Sequence, residues 1–320
     1  MTERERLAAP TDPEFDAVPV GLSPMLAVRG DAPTAGEWSF EVKWDGHRAL
    51  ARVVGGRVTL GSRGGHDVTV SVPGISALGE SLAGHDCLLD GELVVLGVDG
   101  RPDFSLLQQR MGAPRSPGPR VTYLIFDVLH LDGRSCLHLP HTARRARLES
   151  LDLAGEVWAV PGQLTGSASE VLAAVAAQGL EGVMAKHGGS PYTPGRRSDS
   201  WVKLVNLHTV DVVIGGWQPG SGRRAGTVGS LLLGVPDGEG AGLRYVGHVG
   251  TGFTDRALRE LAERLHSLRR TRSPFSAPVP APRARTARWV TPELVGEVQF
   301  ASWTTDGLLR QPRWRGLRGG

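Results

Sequence analysis

Of the 36 Lys and Arg residues in this chain only three are lysine: Lys43, Lys186 and Lys203. An arginine is effectively never deprotonated and cannot act as a nucleophile. A lysine amine loses its proton when burial or neighbouring cations lower its pKa, and it can then attack an electrophile. Lys43 lies in EVKWDGHRAL, with Trp44, Asp45, Gly46 and Arg48 close behind it. The arginine disfavours the charged amine, the carboxylate accepts its proton or holds it, and the glycine lets the backbone approach a bulky ligand. A surface hairpin carrying a KxDG turn is the plain alternative, because a pattern this short recurs by chance.

Four further stretches add weight: DGE at 90–92, IFDVL at 125–129, EGVMAK at 181–186 and SWVKLVN at 200–206. Together they supply an aromatic ring to stack on a base, carboxylates for a metal or a ribose, and amines for phosphates. Taken singly, Phe126 and Met184 read as core residues, and Glu92 and Glu181 as charges at strand ends. Neither GxxxxGK[ST] nor GxGxxG after a strand is present. A nucleotide site must therefore be built in another way.

The elements that position these residues are mostly strands. FEVKWDG, HRALARVV, RVTLGSR, CLLDGELVVL, TYLIFDVLHL, EGVMAKH and WVKLVN read as strands or strand ends, and DG at 99–100 suits a hairpin. Residues 143–151 and 168–179 read as helices, the second closing on a glycine. The pattern resets near 205–210. Five strands and one helix (255–268) follow, compatible with a small β-barrel. The expected organisation is a mobile lead-in over 1–22, a first domain over 23–206 and a second over 207–320.

The formal net charge is only +3, but arginine is concentrated in 264–289 and 309–318. This suggests a polyanion-binding surface, with a solvated arginine-rich face as the alternative. Cys87 and Cys136 match no metal spacing and make a disulfide scaffold improbable. The charged start has no apolar core, and no run approaches the roughly 18 apolar residues of a membrane span. A cytoplasmic, nucleoid-associated protein with no membrane partner is expected.

KxDG, SRxG, DGE, FD, EGVxxK and WxK, in that order, resemble the covalent nucleotidyltransferases and in particular the ATP-dependent DNA ligases. The likeness is strongest to the ligase domain of bacterial end-joining ligases and their small stand-alone relatives. SPMLA (23–27), VVIGGWQPGSGRRAGTVGSLLLGV and LRQPRWRGLR extend it over roughly 22–318. The resemblance implies an α+β fold: an adenylation domain of antiparallel sheets with flanking helices, then a C-terminal OB-fold β-barrel. It implies that Lys43 attacks ATP to form a lysyl–AMP intermediate, that AMP passes to the 5′-phosphate of a nick, and that the 3′-hydroxyl then displaces it.

By motif position, Phe126 stacks on adenine, Met184 covers its other face, Glu92 holds the ribose and Glu41 reads the adenine edge through its backbone. Lys186 and Lys203 contact phosphate, Arg48 meets the nucleotide, and Glu181 with Glu92 binds magnesium or manganese. Arg63, Arg196, Arg197, Arg315 and Arg318 meet DNA. The implied partners are nicked double-stranded DNA and repair or end-joining proteins, and the implied state is a monomer. Two positions depart from the family pattern. A second lysine is expected two places after Lys203, where this chain has Val205. An Asp-Lys pair is expected after Gly316-Leu317-Arg318, where Gly319-Gly320 stands. Self-adenylation is the step these differences touch. Two alternatives stay open: an RNA ligase, and a catalytically weak nucleic-acid-binding module of the same fold.

Overall fold

The structure, a computed structural model, describes residues 16–318 apart from 115, 223–226, 239–241 and 305. The chain divides into two compact units, Met1–Val205 and Asn206–Gly320.

The first unit is built on two sheets. One has four strands in the order Leu26–Arg29, Arg197–Val205, Gly182–His187, Trp38–Val42. The other runs Arg57–Ser62, His47–Val54, Cys87–Val95, Val121–Leu131, Arg134–Ser135, with Trp158–Ala159 beside Val121–Leu131. Neighbouring strands are antiparallel except for two parallel pairs, Leu26–Arg29 with Arg197–Val205 and Val121–Leu131 with Trp158–Ala159. Successive side chains on a strand face opposite ways. Ala49, Ala51 and Val53 accordingly join the main core with Leu89, Leu93, Tyr123 and Ile125, and Leu50 joins a second cluster with Met25, Leu88, Leu129, Tyr192 and Trp201. Phe126 and Met184 pack against that second cluster.

Helix Ala168–Ala177 begins at a capping box, in which Ser167 and Glu170 satisfy each other's backbone N–H groups. It buries Val171 and Val175 against Val183, Ala185, Val202 and Leu204. The second predicted helix forms as His141–Ser150. Patterning missed helix Phe104–Gly112. The DG turn does fold back, with a bridge between Leu96 and Pro102, but Asp103 then caps a helix by accepting the N–H of Leu106.

Of the expected lead-in, residues 1–15 lie outside the described residues. From Asp16 onward the chain is pinned rather than mobile. The Asp16 N–H donates to the Gly133 carbonyl, the Arg52 Nε donates to the Val18 carbonyl, and the apolar side chain of Val18 is buried beside Met25.

The second unit holds a sheet ordered Leu243–Val249, Val228–Pro236, His208–Pro219, Val295–Phe300, Arg313–Leu317, with Arg288–Trp289 also paired to His208–Pro219. Helix Asp255–Ser267 buries Leu258, Leu261 and Leu265. The expected barrel is not closed among the described residues. The two outer strands form no ladder; the Trp314 N–H donates instead to the carbonyl of Thr251, two residues past the end of strand Leu243–Val249. Pro312, just before the last strand, has no N–H with which to extend one.

Candidate active site

The four-stranded sheet sorts the motif residues by register. Met184 stands across from Glu41 on one side and Lys203 on the other, and Lys186 stands between Ser39 and Trp201. The intervening Val183 and Ala185 point the other way, into the cluster under helix Ala168–Ala177. Period-two alternation therefore delivers Glu41, Met184, Lys186, Trp201 and Lys203 to one face.

Lys43 follows strand Trp38–Val42, and its backbone N–H donates to the carbonyl of Gly182. Its Nζ lies 2.5 Å from Oε2 of Glu181. The carboxylate that holds the amine thus comes from EGVMAK rather than from KxDG. The motif glycines serve the backbone instead of a ligand. A Cβ at Gly46 would lie 2.1 Å from the Leu93 carbonyl oxygen, and one at Gly182 would lie 2.1 Å from that of Leu204. Any larger residue would push the strands apart.

Buried charges line the base of the site. Lys186 Nζ is 2.7 Å from Glu41 Oε2, with His141 and Arg145 nearby. Burial pushes the Glu41 carboxyl up, but the charge of Lys186 and then the neighbouring His141 outweigh it and hold the carboxyl at about 2. His141 is shifted down, chiefly by its burial. The Lys186 amine also lies over the rings of Phe126 (4.3 Å) and Trp201 (4.5 Å), a cation–π arrangement.

Arg48 forks onto the fully buried Asp90, through Nε to Oδ1 and Nη2 to Oδ2. Asp90 also accepts the Tyr192 hydroxyl at 2.6 Å, and that hydroxyl accepts the Met25 N–H. Arg48 is thereby held across the Phe126 ring at 4.7 Å, its pKa raised because Asp90 overcomes the effect of burial. Behind Phe126, Arg144 forms a second buried fork to Asp127 and donates to the Leu139 and Ser190 carbonyls. Burial raises the Glu92 carboxyl to about 7 despite Arg48 and Lys43 nearby. Lys203 is shifted down by burial and by the cations Lys43, Arg197 and Arg29.

These groups surround a cavity of 260 Å³ whose lining includes ten of the residues singled out in the sequence: Glu41, Lys43, Arg48, Arg63, Glu92, Phe126, Met184, Lys186, Arg197 and Lys203. Glu181 joins them through Lys43. Arg196 is exposed and is not part of the lining. Arg315 and Arg318 belong to the second unit, where Arg315 is exposed and Arg318 pairs with Asp211 and Glu297 at 2.8 Å each. Sequence reasoning missed Trp201, Asp90, Tyr192, Arg144 and His141. Trp201 and Asp90 lie inside the WxK and DGE motifs, which was the available signal; the other three carry none of comparable strength.

The cavity suits a nucleoside phosphate. Phe126, Trp201 and Met184 offer apolar faces, while Lys43, Lys203, Arg63 and Arg197 offer positive charge. Glu41 Oε1 is buried without a hydrogen-bond partner among the described residues, so a ligand donor would meet an acceptor that needs one. Among the described residues, no three His, Cys, Asp or Glu side chains gather as a ready-made metal site. Magnesium is commonly held by only one or two carboxylates together with substrate phosphates, and Glu92 and Glu181 fit that donor set.

Residues 24–204 match the family described as "ATP dependent DNA ligase domain", and residues 224–319 match "ATP dependent DNA ligase C terminal region". The chain belongs to the ATP-dependent DNA ligases. Within this family it is 45% identical over 305 residues to the multifunctional non-homologous end joining protein LigD of Mycolicibacterium smegmatis, a match covering 95% of this chain and 39% of that protein. It is 34% identical to a probable DNA ligase of Pseudarthrobacter chlorophenolicus, over 96% of this chain and 60% of the relative. The chain therefore spans less than two thirds of the length of either relative. The crystal structure of the ligase domain of M. tuberculosis LigD is 44% identical, with a TM-score of 0.57 and coverage of 93% of this chain and 95% of that one. A mycobacterial DNA ligase D complexed with ATP and MES matches at 44% identity and a TM-score of 0.56. The ligase fold is thus an adenylation domain of antiparallel sheets with flanking helices, followed by an OB-fold domain whose sheet is open in this chain. No helix is long and apolar enough to cross a membrane.

Proposed function

We propose that this chain is a nick-sealing ligase module that acts in DNA repair or end joining through a lysyl–AMP intermediate. In the first step the Lys43 amine attacks the α-phosphorus of ATP. An N–P bond forms, the P–O bond to pyrophosphate breaks, and Glu181, which already holds the amine, is the nearest acceptor for the departing proton. In the second step the 5′-phosphate of a nick takes the AMP and frees Lys43. In the third step the 3′-hydroxyl attacks that phosphate and AMP leaves.

The residues around Lys43 have distinct tasks in this reading. Phe126 and Met184 clamp the purine, and Arg48, fixed by Asp90, keeps the Phe126 ring in place. The backbone at Glu41 reads the purine edge, and Lys186 and Lys203 balance phosphate charge. Glu92 and Glu181 are the groups that would hold magnesium or manganese, which when bound neutralises charge on the phosphates. With its carboxyl at about 7, Glu92 loses its proton readily once a cation arrives beside it. Arg63, Arg196, Arg197 and Arg315 are proposed contacts to the backbone of a nicked duplex. Arg318 takes part only by giving up Asp211 and Glu297. Partner proteins in end joining and a monomeric state complete the reading.

The observation that carries the proposal is that the three lysines of an otherwise arginine-using chain gather at one cavity, together with Phe126 and the Glu181 carboxylate. Incubation with radiolabelled ATP and magnesium should leave label on the denatured wild-type chain and none on Lys43→Ala. An unlabelled wild type, or a labelled variant, would overturn it.

A further inference from the structure

The register of the four-stranded sheet places four residues in one row, each directly across from the next: Glu41, Met184, Lys203 and Arg29. The row before it, Phe40, Ala185, Val202 and Val28, turns the other way and packs into the apolar cluster beneath helix Ala168–Ala177. Residues in register share a face, so Arg29 stands beside Lys203 on the cavity side of the sheet, just beyond the cavity lining itself. Strands stand roughly 5 Å apart, so the row runs for about 14 Å from Glu41 to Arg29. An extended nucleoside triphosphate has a comparable length. The near end of the row carries the groups suited to a purine, and the next member is a phosphate-type cation.

Arg29 is exposed, and among the described residues its side chain makes no hydrogen bond or ion pair. Its strand is fixed, because Leu26 and Ala27 line the cavity and Arg197 donates to the Ala27 carbonyl at 2.6 Å. The field of Arg29 is felt at Lys203, together with those of Lys43 and Arg197. On the same face two residues beyond Lys203 stands Val205, which offers an anion nothing. Extra charge at this end of the row therefore comes from the side, from Arg29.

We infer that Arg29 is a further nucleotide-binding residue, taking the phosphates beyond the α-phosphate at the outer end of the row. The inference rests on the ATP reading of this cavity. Its test is calorimetric titration of ATP and of AMP into the wild type, Arg29→Gln and Arg29→Lys. Arg29→Gln should weaken ATP binding about fivefold, the scale of a partly exposed charge contact, and AMP binding less than twofold; Arg29→Lys should recover most of the loss. ATP binding unchanged in Arg29→Gln, or ATP and AMP weakened alike, overturns the inference. The comparison needs no turnover. A wild type that binds ATP but never acquires label defeats the ligase chemistry separately, and one that binds no ATP defeats both.

Discussion

Replacing Lys186 by methionine keeps an unbranched side chain over Phe126 and Trp201 and removes the charge that holds the Glu41 carboxylate. In the wild type that carboxyl titrates at about 2, against an ordinary 4.5. Its folded value is depressed, so its contribution to stability is fully present above 4.5 and is lost as pH falls towards 2. The difference, 4.5 − 2, at about 1.4 kcal/mol per unit, comes to about 3.5 kcal/mol. Without Lys186, burial dominates and moves the carboxyl above 4.5. The sign then reverses: the folded variant binds the proton more readily than the unfolded chain and loses stability as pH rises through that interval. Urea unfolding of both proteins between pH 3.5 and 7.5 measures this. From pH 3.5 to 5 the wild-type contribution alone should widen the gap by about 1 kcal/mol. The gap should widen further at higher pH, towards the roughly 3–5 kcal/mol of a broken buried pair. Adding Glu41→Gln should flatten the profile and recover much of the loss. A gap that stays constant across the range would refute the coupling.

Lys43→Arg keeps the charge but should abolish transfer of label from ATP; any residual adduct would remove Lys43 from its role. Phe126→Ala should weaken ATP binding at least tenfold through the loss of its stacking surface, and an unchanged calorimetric affinity would put the base elsewhere. Arg144→Met should cost about 3–5 kcal/mol by stranding the buried Asp127, and Asp127→Asn combined with it should recover part of this. Equal urea midpoints for wild type and single variant would contradict the buried fork. Duplex binding should weaken steeply between low and physiological salt as bound counterions are released, and a flat profile in a fluorescence titration would argue against backbone contacts.

The chemistry was legible because it is carried on strands, where a short motif already decides which face each residue takes. Met184 and Lys186 share a face because they are two apart, and Lys203 follows Trp201 by the same rule. The supporting shell was not legible, because its partners are distant in sequence. Asp90 meets Arg48 across 42 positions and Tyr192 across 102. No local pattern reports such pairings. The glycine of KxDG was read as making room for a ligand, but what approaches it is the Leu93 backbone, and Gly182 of EGVMAK, which sequence reading passed over, meets the Leu204 backbone in the same way. Helix Phe104–Gly112 was hidden because its cap follows directly on a turn that satisfies the hairpin pattern.

The parallel pairing of Leu26–Arg29 with Arg197–Val205 also affects how the chain is made. The side-chain bond from Arg197 to Ala27 spans 170 residues, and the Met25–Tyr192 bond spans 167. At ribosomal rates of roughly 5–20 residues per second, the first strand waits about 10–30 s for its neighbour to be synthesised. During that time Met25, Leu26 and Val28 have no sheet to cover them. A four-residue strand that opens after Pro24 and ends on Arg29 is a poor template for unwanted pairing, and those features limit the hazard of the wait.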